Sequence, residues 1–168
     1  MDALQQMYQQ VILDHAKKPH GRVANIGEPT AGEPAVGEPT IAQPNTAISH
    51  QVNPTCGDEI TLAVQLEDGK VDKITWEGQG CSISQASASV MTDILTGETV
   101  AEAKQAEQYF HQLMNSRGKG LDNETAEDAL GDAVAFTGTS QYPARIKCAL
   151  LGWMALKDAL TKIEADSQ

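Results

Sequence analysis

The chain is organised around residues 53–67, which read NPTCGDEITLAVQLE. The second half of this stretch alternates apolar and polar residues and predicts a half-buried β-strand. The first half predicts a tight turn that holds Cys56, Gly57 and Asp58. This spacing lets a thiolate and a carboxylate reach one metal ion from a single turn. The stretch therefore predicts a strand that begins beside a candidate metal site.

Length and charge restrict the classes of function open to the chain. Its 168 residues predict a single domain over 1–168, with a core that does not depend on a metal. The 12 basic against 23 acidic residues give a net charge of −11, which argues against binding to nucleic acid or to anionic membranes. No apolar run approaches the roughly 20 residues of a membrane span, and the first residues lack a signal pattern. We therefore expect a cytoplasmic protein.

Apolar periodicity predicts an α+β fold. Helices are expected over 2–16, 82–95, 125–134 and 143–164, and another begins at the capping box Thr99–Glu102 and ends near Gly118. Strands are expected from Thr46, over 60–66, and around Ile74 and Trp76. A three-residue loop over 67–69 would connect the last two strands and set Leu62 opposite Ile74 and Ile60 opposite Trp76.

Three Gly-Glu-Pro units form a segment at 27–40 that predicts an extended acidic surface loop, since neither helices nor central strands tolerate repeated proline and glycine. We interpret it as a spacer or a variation in length. His15 and His20 flank the end of the first helix and are interpreted as surface or capping residues. His50 is interpreted as a strand residue rather than a ligand.

Two further cysteines lie near predicted helix starts. Cys81 precedes the helix at 82–95, where free amides and the helix dipole stabilise a thiolate, and Cys148 lies early in the last helix. Three thiols and one carboxylate suit a tetrahedral zinc site. Spacing alone leaves another interpretation open, in which Cys81 and Cys148 are buried small residues and Cys56 is a loop thiol.

Such a site would carry an excess of negative charge. Arg145 and Lys147 flank Cys148 and are candidates to offset it, although each is equally interpreted as an ordinary solvated helix charge. A site with excess negative charge releases a ligand readily, and a released thiolate is a strong nucleophile.

Three motifs resemble those of the SufU branch of the IscU-like iron–sulfur cluster assembly proteins, the NifU N-terminal family. They read NPTCGD at 53–58, GCSISQASAS at 80–89 and ARIKCALL at 144–151, and ILDH at 12–15 is also similar. The resemblance implies an α+β fold with a three-stranded antiparallel sheet packed against several helices. The segment inserted at about 116–135 also resembles the SufU type.

The resemblance implies that Cys56, Asp58, Cys81 and Cys148 are metal ligands and that zinc is the resting metal. Cys56 would be the catalytic thiol, which receives sulfur as a persulfide from a SufS-type cysteine desulfurase. That partner, and not this chain, would carry pyridoxal phosphate. Other iron–sulfur assembly proteins are the further partners that the resemblance implies.

Two departures from IscU scaffolds favour the SufU branch. Lys147 stands where those scaffolds have a histidine, and YPARI at 142–146 replaces their chaperone-recognition stretch, which argues against an Hsp70-type partner. The Gly-Glu-Pro units at 27–40 depart from the usual pattern of the family. Besides the zinc-dependent sulfur acceptor, two functions stay open: a scaffold on which an iron–sulfur cluster is built, and a structural zinc domain.

Overall fold

The computed structural model describes residues 3–23, 45–54 and 57–166, without the side chains of 165 and 166. Its helices are α1 (Ala3–Lys17), α2 (Ser82–Leu95), α3 (Val100–Met114), α4 (Glu124–Leu130) and α5 (Pro143–Asp166), and its strands are β1 (Thr46–Asn53), β2 (Asp58–Glu67) and β3 (Lys70–Gln79). A 3₁₀ segment, Gly131–Gln141, follows α4. The loop predicted at 27–40 and Cys56 lie outside the described residues. Within the described part, no helix is long and apolar enough to cross a membrane.

The sheet has three antiparallel strands in the order β1-β2-β3, which confirms the predicted α+β fold with a three-stranded antiparallel sheet. Pairing of β1 with β2 runs from Thr46 opposite Gln65 to Asn53 opposite Asp58. The Gly57 N–H donates to the Asn53 carbonyl at 2.8 Å, and Gly57 has a φ of +78°, a conformation that glycine adopts without steric cost. The turn therefore returns the chain to the sheet at Asp58.

The turn between β2 and β3 differs from the predicted three-residue loop. Glu67 pairs directly with Lys70, and both intervening residues have positive φ, 54° at Asp68 and 76° at Gly69, as a two-residue type I′ turn requires. The prediction rejected this turn because it would mix buried and exposed faces. A β-bulge at Asp72 prevents this mixing of faces, because the extra residue in β3 shifts the pairing beyond it. Val64 then lies opposite Ile74 and Leu62 opposite Trp76, in place of the predicted pairs.

Helices cover one face of the sheet, with α5 against β1 and β2 and with α2 against α5 and α1. The small residues of α2 let it approach α5 so closely that a Cβ added at Gly152 would lie 3.2 Å from the Ala88 Cβ. The buried Ser87 Oγ donates to the Ala149 carbonyl at 2.6 Å and accepts from Trp153 Nε1 at 3.1 Å. These contacts hold α2 and α5 in one arrangement.

A polar contact connects α5 to β1. The Ser49 hydroxyl donates to Asp158 Oδ2 at 2.7 Å, and this bond, with a further contribution from Lys162, lowers the pKa of the Asp158 carboxyl. The same Lys162 donates to the Ile48 carbonyl at 2.9 Å.

Local signals predicted most helix bounds correctly. The bounds of α2 match the prediction, and the Thr99–Glu102 capping box is present with both of its hydrogen bonds. The predicted ends of α3 and α4 were wrong. Helix α3 ends at Met114 rather than near Gly118. Helix α4 ends at Leu130 rather than at 134, because Gly131 has a φ of 51° and leads into the 3₁₀ segment.

Candidate functional site

The N-terminus of α2 meets the start of β2. Cys81 is the N-cap residue of α2, with an extended backbone, so the prediction that it lies at a helix start is confirmed. Its N–H donates to Asp58 Oδ1 at 3.2 Å, and its Sγ lies 3.5 Å from Asp58 Oδ2. The Asp58 carboxylate is only 4 % exposed and occupies the end of the helix where the dipole favours negative charge.

Cys148 approaches the same point from α5. It lies in the second turn of that helix and is buried, with its Sγ 3.5 Å from the Ala144 carbonyl oxygen. One ligand atom each from Asp58, Cys81 and Cys148 lie within 4.8 Å of one another. Tertiary packing therefore brings together three of the four residues predicted as ligands.

Gly80 leaves the space in which this cluster forms. A Cβ added there would lie 2.4 Å from Ser84 Oγ and 2.9 Å from Asp58 Cγ, both too close for any other residue without displacement. Ser84 Oγ donates to the Cys81 carbonyl at 3.0 Å and lies 4.0 Å from Cys81 Sγ. No local pattern in the sequence indicates a role for Gly80 or Ser84 at the site, because only the position of Asp58 shows why Gly80 is needed.

The donor set fits a late transition metal ion. Soft sulfur and one carboxylate oxygen are ligands that zinc accepts, with bonds of about 2.3 Å to sulfur and about 2.0 Å to oxygen. At the tetrahedral angle these bonds set the two ligand atoms roughly 3.5 Å apart, which agrees with the 3.5 Å between Cys81 Sγ and Asp58 Oδ2.

The remaining predicted site residues have different surroundings. Cys56 lies outside the described residues. Arg145 is exposed, and its guanidinium carbon lies 5.0 Å from the centre of the Tyr142 ring. Lys147 is also exposed. The roles assigned to these three residues stay predictions.

The structure confirms the interpretation of His50 and corrects that of His15. His50 is a strand residue, as predicted, with Nδ1 2.7 Å from Thr61 Oγ1. The interpretation of His15 as a surface residue was wrong, because its side chain is buried and its Nδ1 lies 2.7 Å from Ser89 Oγ. His15 lies four residues after Val11 and three after Ile12, so helical spacing places it on the same side of α1, the side that packs against α2. This spacing was the signal in the sequence that could have identified it.

Comparison with known protein families identifies one match over most of the chain. Residues 7–149 match the family described as the NifU-like N-terminal domain. This range includes the motifs around Cys56 and Cys81, the third motif as far as residue 149 with its Cys148, and the whole of β1, β2 and β3.

Several curated proteins are similar over nearly the full length. The zinc-dependent sulfurtransferase SufU of Bacillus subtilis (strain 168) is 37 % identical over 162 residues, which cover 96 % of this chain and 94 % of that protein. The iron–sulfur cluster assembly scaffold protein IscU of Streptococcus pyogenes serotype M1 is 36 % identical over 162 residues, covering 96 % and 87 %.

Solved structures share the fold. A crystal structure of FiSufU from Fervidobacterium islandicum AW-1, a proposed assembly scaffold protein for the SUF system, superposes with a TM-score of 0.68 at 32 % identity and covers 93 % of this chain and 98 % of that one. The N-terminal NifU-like protein of Brucella abortus gives a TM-score of 0.72 at 23 % identity, covering 98 % and 99 %. The second likeness supports the fold alone.

Proposed function

Since the chain belongs to the family of the NifU-like N-terminal domain, we propose that it accepts persulfide sulfur from a cysteine desulfurase and passes it to iron–sulfur cluster assembly. The observation that carries the proposal is the meeting of Asp58, Cys81 and Cys148, whose ligand atoms lie within 4.8 Å of one another. The SufU name of a relative that is 37 % identical supports the same activity.

Four residues would hold a zinc ion in this proposal. Asp58, Cys81 and Cys148 supply three ligands, and Cys56, two residues before Asp58 in the chain, supplies the fourth. The ion, when bound, keeps the coordinating thiols deprotonated and reduces the repulsion among them. Two basic residues add positive charge to this end of α5: Lys147 directly before Cys148, and Arg145 three residues before it.

The sulfur transfer itself is a thiol–persulfide exchange at Cys56. The Cys56 thiolate attacks the outer sulfur of the persulfide on the desulfurase. A sulfur–sulfur bond forms at Cys56 as the partner's sulfur–sulfur bond breaks, and the partner's cysteine leaves as a thiolate. No external oxidant or reductant is needed, because the persulfide sulfur already has the required oxidation level.

The partner in this proposal is a SufS-type cysteine desulfurase, which carries pyridoxal phosphate. Its contact surface is expected to be basic, because this chain has a net charge of −11 and opposite charges accelerate association. The association rate should therefore fall as the salt concentration rises.

Transfer of radiolabelled sulfur tests the proposal. The protein is mixed with a desulfurase and labelled cysteine, and label bound to the chain is measured on a non-reducing gel. Cys56→Ala is expected to abolish labelling, as is removal of zinc by a chelator, whereas His50→Gln, a change on an exposed part of β1, leaves it unchanged. Undiminished labelling after either treatment would end the proposal.

A scaffold function is the second candidate, since relatives 36 % and 37 % identical bear the name of assembly scaffold proteins. The same cysteines would then hold an iron–sulfur cluster, for which thiolates are the usual ligands. Elemental analysis of freshly isolated protein separates the two. About one zinc per colourless chain favours sulfur transfer, and iron with acid-labile sulfide in a brown protein favours the scaffold.

A further inference from the structure

A second cluster of ligating side chains joins the end of α1 to the last turn of α2. It consists of His15, His20 and Asp93, with ligand atoms within 4.8 Å of one another. Asp93 lies twelve residues beyond Cys81 along α2, so at a rise of about 1.5 Å per residue the two clusters are about 18 Å apart along the helix. They are therefore separate features of the molecule.

Hydrogen bonds orient His15 toward Asp93. Its ring is buried, and Nδ1 lies 2.7 Å from Ser89 Oγ. The other ring nitrogen, Nε2, faces Asp93 Oδ2 at 3.9 Å. A hydrogen bond at one ring nitrogen that directs the other toward a ligand position is typical of histidines that bind metals.

The backbone of His20 is held on both sides. Its N–H donates to Ser89 Oγ at 2.7 Å, and its carbonyl accepts from Trp76 Nε1 at 2.9 Å. The next residue, Gly21, is so close to α2 that an added Cβ would lie 2.8 Å from Thr92 Cγ2. The His20 side chain is consequently fixed at its base, although 53 % of it is exposed.

We propose that His15, His20 and Asp93 form a second metal site that takes a borderline divalent cation of the zinc and cobalt class. Two imidazoles and one carboxylate match this class, whereas calcium and magnesium prefer sites made only of oxygen. The two exposed ligands, His20 and Asp93, leave one side open to water, as in zinc sites with three protein ligands. A net charge of −11 favours the uptake of cations in general.

One distance must change on binding. His20 Nδ1 and Asp93 Oδ2 lie 2.6 Å apart, which is a hydrogen bond, whereas two nitrogen and oxygen ligands of one tetrahedral zinc lie roughly 3.3 Å apart. The ion would replace the shared hydrogen and separate the two atoms by some tenths of an ångström. Half-exposed side chains accommodate such a movement, while the buried His15 stays in place.

Cobalt binding to the full-length protein loaded with a single equivalent of zinc tests the site, because the thiolates of the cysteine cluster take that zinc ion first. We expect a further equivalent of Co²⁺ to bind, to broaden the ring signals of His15 and His20 in NMR spectra, and to lack the near-ultraviolet absorption of a cobalt–thiolate bond. His20→Asn and Asp93→Asn should each lower the Co²⁺ affinity by at least about 10-fold. Cobalt that binds to the cysteine cluster instead would show the thiolate absorption. The absorption spectrum therefore distinguishes a failure of the proposed zinc site from a failure of the second metal site.

A matched control has an exposed histidine beside a carboxylate but no third ligand among the residues that the structure describes. His50 meets this description, with Nε2 3.8 Å from Glu59 Oε2, and His50→Asn should leave Co²⁺ binding unchanged. The proposal is overturned if the wild-type protein shows no selective broadening of His15 and His20. Equal affinities in the wild type and the two ligand variants would also overturn it, and the cluster would then be a hydrogen-bonded clamp between α1 and α2.

Discussion

The substitution Gly80→Ala tests whether the geometry around Cys81 controls metal affinity. The added Cβ would lie 2.9 Å from Asp58 Cγ, and ordinary contact begins at 3.4 Å, so the carboxylate must move by about 0.5 Å. Distances in metal sites are held within about 0.2 Å. We therefore expect zinc affinity to fall about 10–100-fold, as when outer contacts of a ligand are lost.

The folded state should also lose stability, by about 1–3 kcal/mol, which is the usual cost of overpacking. Part of that cost comes from the contact with Ser84 Oγ at 2.4 Å. Adding Ser84→Ala to Gly80→Ala should recover some of the stability but little of the zinc affinity, because the contact with Asp58 remains. Competition with a chromophoric chelator measures the affinity, and urea unfolding of the metal-free protein measures the stability.

Gly138→Ala is the control for this experiment. Gly138 has no atom within 4 Å of an added Cβ and no positive φ, so neither quantity should change. Wild-type zinc affinity in Gly80→Ala would refute the reasoning, as would equal losses in Gly80→Ala and Gly138→Ala.

Three other outcomes are expected from urea unfolding and NMR titration. Ser87→Ala should lower the free energy of unfolding by about 1–3 kcal/mol, since it leaves the buried indole N–H of Trp153 without an acceptor; a neutral result contradicts this. Gly69→Ala should cost about 1–2 kcal/mol, because its left-handed φ penalises any side chain, and no loss would argue against the two-residue turn. The lowered pKa of Asp158 stabilises the fold above the unfolded-state pKa of about 3.9, and this contribution disappears as the pH falls through the folded-state pKa. Ser49→Ala should therefore raise the pKa of Asp158 and weaken the dependence of stability on acid pH, and an unchanged titration curve excludes the role of this bond.

The local structure of the chain could be predicted from its order of residues. Thr99 and Glu102 form the predicted capping box, and Cys81 occupies the predicted helix start. These features depend on interactions between residues three or four positions apart, which the chain order specifies directly. The same holds for the alternating residues of β2, which follow Asp58 in the opening stretch.

The register of β3 and the neighbours of each ligand depend on the packing of the whole fold. The bulge at Asp72 depends on which side chains face the helices, so the local turn signal did not reveal it. Asp58, Cys81 and Cys148 meet because α2 and α5 pack closely, and His15 is buried because α1 packs on α2. Contacts between residues this far apart in the chain arise from the packing of whole helices and strands, which no short stretch of sequence specifies.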